Sequence, residues 1–117
     1  MNYTQNEKIE QVTDSTMVVG VDIGSQIHYA RAFDNRGREL TKRIFSFHND
    51  LEGFNFFNLW AETLKTENKK TAVLIGCEPT GHYWFAFAKY VQDHQKTLVM
   101  VNPFSVKKIK ELDDNSP

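Results

Sequence analysis

The sequence predicts an α/β fold: a mixed five-stranded sheet of order 3-2-1-4-5, flanked by helices. Three observations lead there. Met17-Val18-Val19-Gly20-Val21-Asp22-Ile23-Gly24 is a nearly unbroken run of apolar, β-branched residues, the pattern of a strand buried on both faces. Short turns join it to two more strand-like segments, which makes the first three strands an antiparallel meander. The hydrophobic period then changes from two to that of a helix. Strand and helix alternate from there, giving the order β-β-β-α-β-α-β-α with two right-handed crossovers.

Residues 1–16 are polar and carry no apolar period, as expected of a flexible lead-in, and the folded unit is expected over residues 17–117. The first strand ends at the Gly24-Ser25 turn. Ile27 to Phe33 alternates, with Ile27, Tyr29, Arg31 and Phe33 on one face and His28, Ala30 and Ala32 on the other. Asp34-Asn35-Arg36-Gly37 is a turn by composition, and Glu39 to Phe47 reads as the third strand. Asn49 then stands as an N-cap with Glu52 completing a capping box. Phe54, Phe57, Ala61 and Leu64 recur at helical spacing, with Phe56 and Trp60 widening the apolar stripe as core packing. Thr71 to Gly76 is a fourth, nearly all-apolar strand. A second helix is expected from about Gly81 to His94, capped by Thr80, with Trp84, Phe87, Ala88 and Val91 inward. Thr97 to Val101 makes the fifth strand, and Asn102-Pro103 opens a last helix bearing Lys107, Lys108 and Lys110. This is the ribonuclease H-like order, with the first strand central and the fourth beside it, parallel.

Composition narrows the function. A chain of 117 residues, 40% hydrophobic and 13% aromatic, supports one domain with a single core. The net charge of -1 gives no overall attraction to nucleic acid, so any basic surface is local. The single cysteine, Cys77, excludes an internal disulfide and a cysteine-based zinc site, and with no basic neighbour it reads as a packed thiol. No segment approaches the ~20 apolar residues of a membrane span, and the N-terminus lacks the apolar stretch of a signal peptide. A cytoplasmic protein with no membrane contact is the default expectation. The stop on Asn115-Ser116-Pro117, after a charged helical stretch, reads as an imposed boundary.

Asp22 closes a buried strand, where a carboxylate costs several kcal/mol unless paired or neutralised. That position points to a metal or phosphate site, or else to a structural salt bridge. Glu78 closes the fourth strand in the same way. Parallel neighbours lie ~4.8 Å apart, and sites of open α/β sheets form at the C-terminal strand ends. Two adjacent carboxylates repel, a divalent cation relieves the repulsion, and oxygen-only ligands select Mg²⁺ or Mn²⁺ over zinc. Such ions are the usual device for in-line attack on a phosphodiester. His82 and Tyr83 follow Glu78 closely and suit either contact with a phosphate or packing of the helix's first turn. Lys107, Lys108 and Lys110 suit either a nucleic-acid backbone or a plain solvated face. His28 reads as strand packing, Thr80 as a cap, and Asp113 and Asp114 as a solvated helix end.

Val19-Gly20-Val21-Asp22-Ile23-Gly24 with His28, then Gly53-Phe54, Cys77-Glu78-Pro79-Thr80-Gly81-His82-Tyr83-Trp84, Val101-Asn102-Pro103, Val106-Lys107 and the closing Asn115-Ser116-Pro117 together resemble a known family. It is the N-terminal domain of the DEDD transposases of the insertion-sequence "one-ten" family, to which Piv-type DNA invertases are similar. The resemblance covers about Val18 to Pro117, and the Glu-Pro-Thr-Gly-His-Tyr-Trp block is its most specific part. It implies a RuvC-like catalytic domain whose four acids bind Mg²⁺ for DNA strand cleavage and exchange. Asp22 matches the first acid and Glu78 the second. The third and fourth belong to an Asp-x-x-Asp segment directly after the Asn-Ser-Pro signature, so the domain is truncated before them and this chain alone is expected to be inactive. The resemblance further implies DNA, a structured guide RNA and, in the full-length protein, further copies of itself as partners, together with a C-terminal domain bearing a serine nucleophile.

Two other classes compete. Val21-Asp22-Ile23-Gly24-Ser25 before a strand and an Asp-Asn-Arg-Gly turn is also how actin-like and sugar-kinase ATPases begin. Those folds need a second glycine-rich phosphate loop and a second lobe, which 117 residues with 6 glycines do not supply. The other is a non-catalytic module for nucleic-acid binding or oligomerisation. Stabilisation by ATP favours the kinase reading, and stabilisation by Mn²⁺ without ATP the nuclease-like one.

Overall fold

The computed structural model describes residues 12–79 and 81–101. Thr80 and the expected last helix with Lys107, Lys108 and Lys110 lie outside them. Five strands and two helices are described: β1 (Thr16–Asp22), β2 (Ile27–Phe33), β3 (Phe45–His48), α1 (Leu51–Glu67), β4 (Ala72–Cys77), α2 (Phe85–Asp93) and β5 (Thr97–Met100). They form one sheet in the order β3-β2-β1-β4-β5, as the sequence pattern predicts. β1 is central. It pairs antiparallel with β2, Val21 facing Ala30, and parallel with β4, Val21 facing Cys77.

The alternation in β2 is obeyed: His28, Ala30 and Ala32 are buried while Tyr29 and Arg31 are exposed. The turn after it is closed by Asp34, whose Oδ1 accepts from the backbone N–H groups of Arg36 and Arg38, both at 2.9 Å. These bonds hold the Asp34 carboxyl below the usual carboxylate range.

The expectation that β1 is buried on both faces needs correcting. Met17, Val19 and Val21 are buried, but Gly20 and Asp22 are exposed and Val18 is half-buried. Both helices pack on the Met17 face, because the residues that α1 and α2 bury join the same core as Met17, Val19 and Val21. The third strand is also shorter than Glu39 to Phe47. Ala30 faces Phe45 while Phe33 faces only Glu39, in an isolated bridge. The return strand thus has three more residues than its partner can pair, and the chain bends at Lys42 and Arg43.

The N-cap of α1 is Asp50 rather than Asn49; its Oδ1 accepts from the Gly53 N–H at 2.8 Å. Gly53 has a steric role. A Cβ there would come within 2.0 Å of the His48 carbonyl oxygen, so the helix can lie against the end of β3 only without a side chain. The helix then buries Phe54, Phe57 and Ala61 at helical spacing. α2 begins four residues later than expected from Gly81. Gly81 sits at φ +62, in the left-handed region, which a right-handed helix cannot run through. Trp84 occupies the N-cap position, and Phe87, Ala88, Tyr90 and Val91 face the core. The two helices are tied directly, since Tyr90 donates its hydroxyl to Asn55 Oδ1 at 2.7 Å. Lys96, just before β5, pairs with Glu62 of α1 and holds the Glu62 carboxyl below its ordinary range. Among the described residues no helix is long and apolar enough to cross a membrane.

The centre of the core is aromatic. Phe47 lies 4.8 Å from Phe57 and 5.4 Å from Phe87, ring centre to ring centre, and Phe57 meets Phe87 edge to face at 5.1 Å. His28, with no exposed surface, is embedded among these rings. Phe57→Ala should cost about 3–5 kcal/mol in a chemical-denaturation titration, because the surrounding rings cannot all collapse into the space. Burial pushes the His28 imidazole below its ordinary 6.5, against smaller opposing effects of Asn49 and Asp22. The unfolded chain therefore binds the proton more readily than the folded one. The stability this group contributes is complete above pH 6.5 and is lost as the pH falls through the lower folded value. Thermal melts between pH 7.5 and 5 should show this acid-side loss, and His28→Leu should flatten it.

Candidate functional site

The β1–β4 ladder runs Thr16↔Ala72 through Val21↔Cys77 without a slip. Asp22 and Glu78 are the next residues along the chain after that last pair. Asp22 is the last residue of β1, and Glu78 directly follows β4. In the alternation of their strands both fall on the side away from the helices, and both line one open cleft of about 860 Å³. Its floor contains Gly20 and Gly76, directly paired across the two strands, and its walls include Tyr29, Arg31, Phe33 and Ile44.

The sequence pattern leads one to expect Asp22 to be a buried charge. It is exposed, while Glu78 is half-buried. Neither carboxylate depends on a buried counter-charge for the fold to form. The donor set is oxygen-only, and among the described residues no group of three or more His, Cys, Asp or Glu side chains converges. Two carboxylates at adjacent strand ends fit a hard divalent cation that keeps most of its water, and they do not fit zinc.

His82 and Tyr83 are exposed in the turn preceding α2, with their rings 4.3 Å apart. The two rings are tilted by 35° to each other, and neither lines the cleft. Cys77 is buried against Met100 Sδ at 3.8 Å. Burial and then the neighbouring Glu78 push its thiol up to about 12, so it is inert as a nucleophile at neutral pH.

Two polar residues beneath the site were not assigned to it from sequence. His28 Nδ1 accepts from the Gly24 N–H at 3.1 Å, and Asn49 Nδ2 donates to the Ser25 carbonyl at 3.3 Å. The signal for His28 was its place in the β2 alternation, on the buried face with Ala30 and Ala32.

An open mixed sheet of this order with paired carboxylates at the C-terminal ends of its parallel centre strands defines a ribonuclease H-like domain. The family comparison is specific: a model of the IS110 DEDD transposases, described as "Transposase", matches residues 19–116. The chain belongs to that family. No curated protein matches it. Among solved structures it is similar to the Ppx/GppA family member of Aquifex aeolicus, at 10% identity and a TM-score of 0.40. That match covers 75% of this chain and 35% of the Aquifex chain, so the chain spans about a third of that protein's length.

The cleft predicts different outcomes for two glycines. A Cβ on Gly24 would lie 2.2 Å from the Ile27 carbonyl oxygen, whereas one on Gly20 meets nothing within 4 Å. Gly24→Ala should therefore cost about 1–3 kcal/mol, and Gly20→Ala should stay within about 0.5 kcal/mol. Thermal denaturation of the two variants checks this.

Proposed function

We propose that Asp22 and Glu78 are two of the acidic ligands of a Mg²⁺ or Mn²⁺ centre, and that residues 17–117 are the first part of a RuvC-like catalytic domain that cuts and exchanges DNA strands. The observation that supports it most is the unslipped β1–β4 register, which puts the two carboxylates one step beyond Val21↔Cys77. The match to the transposase family over residues 19–116 supports reading that arrangement as a site for DNA chemistry.

The protein's own part in the reaction follows from position. Asp22 and Glu78 come at the C-terminal ends of two neighbouring strands and line the same open cleft, where a DNA strand can reach them. Two carboxylates repel a phosphodiester, so they are useful there only with a cation between them and the substrate. The chemistry supplied on binding is Lewis-acid polarisation of the scissile phosphodiester and activation of the attacking group. The exposed His82 and Tyr83 are proposed to meet the sugar-phosphate backbone beside the cleft. Lys107, Lys108 and Lys110, outside the described residues, are proposed as phosphate contacts. The partners are DNA, a structured guide RNA and further copies of the protein, all acting in the cytoplasm.

With two protein carboxylates and a shell completed by water, Mn²⁺ should bind this chain weakly, and Asp22→Asn or Glu78→Gln should each abolish the signal. ATP should not stabilise the chain; stabilisation by ATP would point to a phosphotransferase instead. The 117-residue chain should leave single-stranded, duplex and branched DNA intact in Mn²⁺, because one loosely held ion does not position the phosphate. A version extended through the Asp-x-x-Asp segment should cut. If the shorter chain cuts equally well and Asp22→Asn stops it, the assignment of the remaining acids is wrong.

A further inference from the structure

We infer that His28 and Asn49 are positioning residues for Asp22: together they clamp the Gly24–Gln26 turn on which the end of β1, and so its carboxylate, depends. The inference rests on the proposed role of Asp22 as a metal ligand. Three hydrogen bonds make the clamp. The Gly24 N–H donates to His28 Nδ1 at 3.1 Å, Asn49 Nδ2 donates to the Ser25 carbonyl at 3.3 Å, and the Asn49 N–H donates to the Gln26 carbonyl at 2.9 Å. Three consecutive residues that begin two positions after Asp22 are thus each held from β2 or from the β3–α1 junction.

The environment of His28 argues that this bond is its purpose. Its ring has no exposed surface and sits 5.3 Å from Phe47, 5.9 Å from Phe87 and parallel to Phe54 at 6.4 Å. A leucine or phenylalanine would fill such a site without the penalty of burying a polar ring. What the apolar side chain cannot do is accept a hydrogen bond from the Gly24 amide. Because that amide is the donor, Nδ1 carries no proton and Nε2 does. The Nε2–H is then a buried donor without a partner, and Asn49 Oδ1 is a buried acceptor without one. The two groups are complementary, one a donor and the other an acceptor. Gly24 closes the arrangement, since any larger residue would strike the Ile27 carbonyl and lift the turn off the imidazole.

The test compares Mn²⁺ affinity, hydrogen exchange of the Gly24 amide and thermal stability across His28→Leu, His28→Asn, Asn49→Ala and Asp22→Asn in the 117-residue chain. His28→Leu should accelerate Gly24 exchange and weaken Mn²⁺ binding by about tenfold or more, the usual effect of removing a residue that orients a ligand. His28→Asn, whose Oδ1 takes the place of Nδ1, should restore most of both. Asn49→Ala should weaken binding in the same direction, and it decides the matter if His28→Leu does not fold. Unchanged Mn²⁺ affinity in His28→Leu and Asn49→Ala, while Asp22→Asn abolishes binding, would overturn the positioning role and leave the metal site standing. If Asp22→Asn itself leaves binding intact, the site assignment fails and the positioning role with it.

Discussion

The parallel pairing of β1 with β4 is the constraint from which the rest of the structure follows. Parallel neighbours cannot be joined by a tight turn, so the chain must leave the sheet and return through a helix. α1 makes that crossover and must place its Phe54, Phe57 and Ala61 stripe against the sheet. α2 repeats the operation between β4 and β5, and its buried residues join the same core. Once both helices share a face, Val18, Gly20 and Asp22 are left on the other. The same ladder sets where the two acids lie. A parallel register has a constant offset, so the acid that ends one strand and the acid that follows the other come at the same level of the sheet without any local sequence relation between them.

How much of this was legible depended on whether local pattern or tertiary context decided each feature. Strand order was readable because long apolar runs, short connections and a change of period leave few topologies open. That Asp22 and Glu78 lie at strand ends was readable because a carboxylate at the end of an apolar run stands out. The extent of β3 was not, because Glu39 to Ile44 can alternate in sequence without a partner strand long enough to pair it. The start of α1 was ambiguous between two good caps, Asn49 and Asp50. Asn49 is diverted because its side chain holds the Ser25 carbonyl, a contact invisible along the chain. The late start of α2 follows from Gly81, whose backbone angle no composition rule supplies. Burial of β1 on both faces was inferred from hydrophobicity alone, which cannot tell a covered face from an open cleft.

The two sides of the sheet solve opposite problems, and they meet at one amide. On the helix side, rings pack closely enough that a polar group is admitted only if neutral and hydrogen-bonded, and burial keeps His28 neutral. On the cleft side, charge is tolerated because Asp22 is exposed and the strand ends are open to solvent. A carboxylate there is inexpensive to fold, but an exposed side chain is less constrained in direction than a buried one. The Gly24 N–H joins these regimes. It belongs to the turn that carries Asp22, and its acceptor belongs to the aromatic core. Rigidity for the cleft is in this way borrowed from the interior, through the polar nitrogen of a side chain packed among aromatic rings.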